Sequence, residues 1–270
     1  MKIALIGLSN NISDNFGKIK IWADSFRKYS SGDVILLCAN STDADMQMCK
    51  NIGIHPVPVT VADTWHINHD RLKHTEQFLS RSDIDLFVVS DVFDVIFQDD
   101  PIKKLNLDAY DIFVSGEGVT VNQEPWNADN ISKIFPDHRK ICGEQEVINS
   151  GVIVGKRASL IKLLNSMYQL CEAGSDAHNI KDQAALIVLV ATNQIERLKI
   201  FNLDDGWAMH CAVAGPTQFF DAWNFRKAIR YGIPYMSGGY VVNKYAQKYD
   251  IVHQFNRVPE WKSILESQYL

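Results

Sequence analysis

Residues 86–89, Leu-Phe-Val-Val, form an unbroken apolar run closed by polar residues on both sides. A run this short and this rich in Val and Phe fits a strand buried on both faces, and such strands belong to parallel sheets covered by helices. The run ends on Ser90-Asp91, and Asp94 follows three residues later. Open α/β sheets bind their ligands at the carboxyl ends of central strands, so these carboxylates stand where chemistry is expected. Closely spaced hard oxygen donors suit Mg²⁺ or Mn²⁺, which keep waters and bridge substrate phosphates. Asp is also a common turn and cap residue. Spacing alone leaves both readings open.

The N-terminal half alternates strands with helices. Strands are expected at residues 2–6 and 33–38. A polar loop at 9–15 leads to a helix at 16–29, and a second helix at 44–51 is closed by Gly53. Residues 54–59 contain Pro56 and Pro58, which restricts them to an edge strand or an extended connection. A helix at 70–80 then delivers the chain to the central strand. This alternation predicts an α/β fold with a mostly parallel central sheet and helices on both faces. The turn after the first strand, Gly7-Leu8-Ser9-Asn10, has one glycine where a dinucleotide fingerprint needs three, and no P-loop occurs anywhere. A nucleotide, if bound, is held by other means.

Beyond residue 110 the pattern changes. Residues 111–115 read as another buried strand, running into Gly116-Glu117-Gly118. Residues 122–143 are polar, carry Trp126 and Pro136, and read as a surface excursion. Residues 147–155 form a strand interrupted by Asn149-Ser150-Gly151, where a glycine marks a bulge or a close backbone approach by a ligand. A helix follows over 160–171, with Gly174 as its stop. Asp182-Gln183 opens a second buried helix through 191. There a carboxylate is stabilised by the helix dipole, although a plain N-cap is the simpler reading. His253 follows a short apolar strand near the end of the sequence. Alone, it is as well explained as a core histidine. No repeat and no linker divides the sequence, so one domain over 1–270 is expected.

A net charge of −5 gives no basic face for nucleic acid. The five cysteines are odd in number and form no C-x-x-C pair, which leaves zinc ribbons and thioredoxin-type chemistry without support. The first strand is too short for a signal sequence, and no apolar run reaches the length of a membrane span. A cytoplasmic protein, in one reading peripheral to the inner face of a membrane, is the simplest expectation.

Taken in order, Asp91-Val92-Phe93-Asp94 with its aliphatic-Phe continuation, Asn149-Ser150-Gly151, Asp182-Gln183 and His253 resemble the motif series of nucleotide-sugar glycosyltransferases of the GT-A fold. The likeness is nearest to the glycosyltransferase domain of procollagen lysyl hydroxylases, and glycogenin-like enzymes are similar in order. The tail His253-Gln254-Phe255-Asn256-Arg257 resembles the His-Gln-Tyr-Asp-Arg ending of related bacterial glycosyltransferases, with Phe255 and Asn256 departing from it.

This resemblance implies a GT-A-like (Rossmann-like) domain whose 1–115 half binds nucleotide and whose 116–270 half binds acceptor and supplies the metal-ligand tail. It implies Mn²⁺ or Mg²⁺ held by Asp91, Asp94 and His253. It also implies a UDP-linked sugar donor and a glycan, lipid-linked or protein acceptor, with bacterial polysaccharide synthesis as the setting. Asn149, Ser150, Gly151 and Gln183 would line the donor cleft, and Asp182 would face the donor sugar or the acceptor hydroxyl as the catalytic residue. Ser9 and Asn10 would lie near the base or ribose, and Arg71 near the diphosphate. Glu117 and Trp126 would stand on the acceptor side. Two rival classes remain. His66, Asp70 and His74 are spaced by four and would suit a hydrolase metal site, although solvated surface histidines explain them more simply. A catalytically silent nucleotide-sugar-binding protein is the other.

Overall fold

The computed structural model describes residues 1–61, 67–178, 180–211 and 230–269. Its centre is an 8-stranded sheet. The strands are β1 (Ile3–Ser9), β2 (Asp33–Ala39), β3 (His55–Val59), β4 (Leu86–Ser90), β6 (Ile112–Thr120), β7 (Glu146–Ile148), β8 (Val152–Lys156) and β9 (Leu198–Phe201). They lie in the order β3-β2-β1-β4-β8-β6-β7, with β9 against β6. The β3, β2, β1 and β4 strands pair in parallel, as does β6 with β9, while β8 and β7 run against their neighbours. The proline-bearing β3 takes the edge, where two missing backbone donors cost least.

Helices cover both faces. On one, α1 (Ile12–Arg27) and α2 (Asp43–Asn51) bury Ile19, Trp22, Phe26 and Cys49 against Leu5, Leu36 and Val88. On the other, α3 (Ile67–Ser80), α6 (Arg157–Ala173) and α7 (Asp182–Ala191) bury Leu72, Leu164, Met167 and Leu186 against Ile6, Phe87 and Ile153. Alternate residues of β4 therefore feed two cores, as burial on both faces requires. All five cysteines are buried.

A second, 3-stranded sheet fixes the site. It is built from β5 (Val95–Phe97), β10 (Ala208–His210) and β13 (Ile251–His253). The β5 strand leaves the main sheet directly after Asp94, and β13 pairs with it antiparallel, so that His253 faces Val95. On the other side of β13, β10 runs parallel, and His210 is in register with His253. The hairpin β11 (Tyr235–Ser237) and β12 (Tyr240–Val242) and the last helix, Pro259–Glu266, close a third core around Met209, Val241, Val252 and Trp261.

Three local expectations are corrected. Helix α1 begins at Ile12, inside the expected polar loop, because Ile12 is an apolar anchor buried against the core. Residues 122–143 are not an irregular excursion but contain α4 (Pro125–Ile134) and α5 (Arg139–Cys142). The Glu124 side chain caps α4 and Pro125 opens it, which are good helix-start residues; its buried face carries Asn127 and Asn130 besides Ile131 and Ile134, so the apolar period is masked. Gly174 ends α6 in extended backbone at φ −75°, not in the left-handed conformation of a glycine stop.

Candidate active site

The loop from Asp91 to Asp94 bridges the two sheets at the carboxyl end of β4. Its entry is pinned from below. Ser90 is buried and its Oγ accepts a 2.8 Å hydrogen bond from Trp22 Nε1, while the Asp91 amide donates to Gly151 O at 2.9 Å. Its exit is held by the Gln254 amide, which donates to Asp94 O at 2.6 Å from a left-handed backbone (φ 62°) immediately after His253. The two ends of the loop are thus tied to the two segments that carry the other site residues.

His253 Nε2 lies 3.1 Å from Asp91 Oδ2 and 3.6 Å from Asp94 Oδ1. It is buried, yet makes no aligned hydrogen bond. One ligand atom from each of the three residues lies within 4.8 Å of the others, the one such group among the described residues. Ligand atoms bonded to one Mg²⁺-sized cation at about 2.1 Å stand about 3 Å apart in adjacent positions, so little movement is needed to seat an ion. Burial disfavours ionisation of Asp91, but the charges of Arg71 and His253 overcome it and hold its carboxyl well below the ordinary range. Asp94 is pushed up instead, by burial and by the charge of Asp91, with His253 opposing. Burial opposes charge on His253, yet Asp94 and Asp91 raise it. Two crowded carboxylates and an imidazole whose Nε2 makes no aligned hydrogen bond form a donor set that fits Mn²⁺ or Mg²⁺.

A second cluster adjoins the first. From α3, Arg71 reaches Asp91 with one guanidinium nitrogen and Asp182 Oδ2 with the other, at 2.7 Å. Ser150 Oγ donates to the same Asp182 oxygen at 3.0 Å. Asp182 is the first residue of α7 and is buried, but its side chain caps nothing, and Oδ1 has no hydrogen-bond partner. The helix-cap reading of Asp182 is therefore corrected: the carboxylate caps no backbone amide and is held by Arg71 and Ser150. Removing Arg71 would strand buried negative charge, at a cost of about 3–5 kcal/mol.

Asn149 shapes the turn between β7 and β8. Its Oδ1 accepts from the Gly151 amide at 2.7 Å, and its Nδ2 donates to Glu117 Oε1 at 2.8 Å. Gly151 is required by a close approach, though the approaching group belongs to the protein. A Cβ there would stand 2.2 Å from the His253 ring. Gln183 Nε2 donates to Asn127 Oδ1 at 2.9 Å and so joins α7 to α4. Trp126, on α4, is 43% exposed and meets the His178 ring edge-on. Ser9 is buried at the end of β1 with its hydroxyl on Asn10 O, on the same sheet edge as Asp91.

The described residues hold only two members of the rival metal site. His66 lies outside the described residues, Asp70 lies 3.5 Å from His69, and His74 lines a groove with His55 and Arg81. Sequence reasoning missed two groups beside the cluster, His210 and Arg257, and the structural lysine next to Asp182. His210 places Nδ1 2.9 Å from His253 Nδ1. Arg257 adds charge near Asp94 and His253. Lys181, buried next to Asp182, donates to Cys171 O at 3.1 Å and Gly174 O at 3.3 Å at the end of α6, and pairs with Asp176. The one signal for His210 was a short apolar run ending in histidine, the same signal that marked His253.

No protein-family model matches the chain, and no curated protein does either. Among solved structures it is similar to galactosyltransferase LgtC in complex with donor and acceptor sugar analogs, at 12% identity and a TM-score of 0.59, over 98% of this chain and 95% of that one. An active-site mutant of LgtC is similar at 12% identity and a TM-score of 0.57, over 93% and 86%. The likeness establishes the architecture: an α/β domain of the GT-A fold with a mostly parallel central sheet.

Proposed function

We propose that this chain is a divalent-metal-dependent glycosyltransferase that moves a sugar from a nucleoside-diphosphate sugar, UDP-linked, to a hydroxyl on a glycan, lipid-linked glycan or protein. The observation that carries the reading is the convergence of Asp91, Asp94 and His253. Residues far apart in sequence are brought by an antiparallel register to the carboxyl edge of a GT-A-fold sheet. In this reading the narrower likeness is to the lysyl hydroxylase type, whose D-x-x-D spacing the chain shares.

Asp91, Asp94 and His253 would hold Mn²⁺ or Mg²⁺, which neutralises charge on a departing diphosphate. The remaining chemistry falls to the chain's own groups. Arg71 fixes the spacing between the metal cluster and Asp182, and its charge favours a diphosphate beside them. Asp182 Oδ1, buried and unpartnered, is set to accept a hydrogen bond from a sugar or acceptor hydroxyl, while Ser150 and Arg71 hold Oδ2. Asn149 and Gly151 form the floor of the donor cleft, with Gln183 at its α7 side. Ser9 and Asn10, at the end of β1, belong to the nucleotide side and the 1–115 half. Glu117 and Trp126 belong to the acceptor side and the 116–270 half. No described helix is long and apolar enough to cross a membrane. A cytoplasmic enzyme that meets its acceptor at a membrane face agrees with that.

The test is a panel of nucleotide-sugars scored for binding and for release of the nucleoside diphosphate, with Mn²⁺ present and absent. Release of UDP from one or more donors only when Mn²⁺ is present is expected. Metal-independent release, or none from any donor, sinks the proposal.

A further inference from the structure

The His253 ring is held on three sides. Its Nε2 faces Asp91 and Asp94, Gly151 leaves room for one flank only by lacking a Cβ, and its Nδ1 meets His210 Nδ1 at 2.9 Å with the rings nearly perpendicular (86°). The contact follows from β10 running parallel to β13 in a register that pairs His210 with His253. Both rings are buried, His210 at 0% exposure. Two ring nitrogens at hydrogen-bond distance must divide their roles, since two N–H groups facing each other repel and two lone pairs leave the contact empty.

We propose that His210 is a positioning residue that sets the tautomer of His253 for metal ligation; this rests on the metal reading above. A ligating Nε2 must present its lone pair, so a neutral His253 carries its proton on Nδ1. That proton is donated to His210 Nδ1, and His210 carries its own proton on Nε2. Without this acceptor, the tautomer that places the proton on Nε2 and points it at Asp91 becomes competitive, and that tautomer cannot bind a metal. The arrangement is the role that carboxylates and backbone carbonyls commonly play behind a metal-binding histidine. Here a second imidazole fills it, on a neighbouring strand.

The test uses the whole chain. Mn²⁺ affinity in the presence of UDP is measured by the spin resonance of free Mn²⁺, for wild type, His253→Ala, His210→Phe and His210→Asn. Phe keeps ring volume but accepts nothing, whereas the Asn carbonyl can stand near the lost Nδ1. His210→Phe is expected to weaken Mn²⁺ binding by about 10–100-fold, the usual effect of removing a group behind a ligand, and His210→Asn to recover most of that loss. Proton–nitrogen correlation spectra of ¹⁵N-histidine wild-type protein with Mg²⁺ and UDP supply a second readout that needs no variant to fold. They are expected to place the shared proton on His253 Nδ1 and to find His210 protonated on Nε2. A proton on His210 Nδ1 overturns the proposal. So does a His210→Phe protein that folds and binds Mn²⁺ like wild type while His253→Ala does not, which leaves the metal reading standing. If His253→Ala binds Mn²⁺ unchanged, the metal reading fails and the role of His210 falls with it.

Discussion

Strand β13 has charged groups at both ends, and they are built differently. Just before it, Asp250 is fully buried and meets two lysines, Lys104 at 3.1 Å and Lys103 at 3.4 Å. Its backbone carbonyl also takes the amides of Gln98 and Asp99. There, two carboxylates, Asp250 and Asp99, meet three lysines, since Asp99 pairs with Lys103 and Lys248. At its other end, His253 faces Asp91 and Asp94, while the Arg71 guanidinium that pairs with Asp91 is shared with Asp182. Three carboxylates then face Arg71 and an imidazole, with Arg257 acting through its charge. A cluster built only for the fold matches its charges internally, because uncompensated buried charge is costly. Among the described residues, with the imidazole neutral, the three carboxylates outnumber the two guanidinium groups, a difference that a cation would offset.

The sharpest way to break that contrast is to remove a carboxylate from the electronegative end. Asp94→Asn is expected to cut Mn²⁺-dependent UDP binding by about 100-fold or more, since losing a ligand outweighs losing a group behind one. Its melting temperature should stay level or rise, because a buried like-charge neighbour of Asp91 is gone. Calorimetric titration and a thermal melt on one preparation measure both. Reduced stability with intact metal binding would place Asp94 with Asp250, as a structural charge.

What the sequence revealed of this contrast follows the range of the interactions. The β4 strand and its two carboxylates were legible because an apolar run and the polar residues closing it are local facts. His253 was legible only through motif order, since its place beside Asp94 depends on β13 pairing with β5 across more than 150 residues of sequence. His210 carried no such order, and no local pattern singled it out. Asp182 read more simply as a cap because the first position of a helix favours carboxylates for either reason; only the partners Arg71 and Ser150 separate them. Helix α4 was misread as a loop because asparagines, buried by hydrogen bonds such as Gln183 to Asn127, stand where an apolar stripe was sought.

Asp182 and Lys181 repeat the contrast in adjacent residues. Asp182 keeps an oxygen uncommitted, so Asp182→Asn is expected to lower sugar transfer by about 100-fold, as for a positioned polar catalytic group, with little change in melting temperature. Lys181 is fully engaged by Asp176 and the last carbonyls of α6, an end of the helix dipole that favours cations. Lys181→Met keeps the stem and leaves those acceptors unmet, so it should cost about 1–3 kcal/mol in urea unfolding. Per folded molecule, it should leave Mn²⁺-dependent UDP binding unchanged. If the stability loss appears in Asp182→Asn and the loss of transfer in Lys181→Met, the assignment of structural and functional charge is inverted.

The smallest expected effect concerns Asp250 and its response to pH. Burial pushes the Asp250 carboxyl above its ordinary range, with Lys104 and Lys103 opposing but not cancelling it. Its folded form therefore holds a proton more tightly than the unfolded chain does. Between the ordinary carboxylate value, about 3.9, and the raised folded value, the native state carries more of that proton than the unfolded state. Stability contributed by Asp250 is then present at low pH and lost as pH rises through that window. Asp250→Asn mimics the protonated side chain at every pH. It should equal or exceed wild type in stability at pH 7, and the two should converge as the medium is acidified. Urea unfolding of both proteins at a series of pH values measures the gap. A wild type that is the more stable at pH 7, with its advantage shrinking on acidification, would mean that the two lysines outweigh burial and that the ion pair itself stabilises this end of β13.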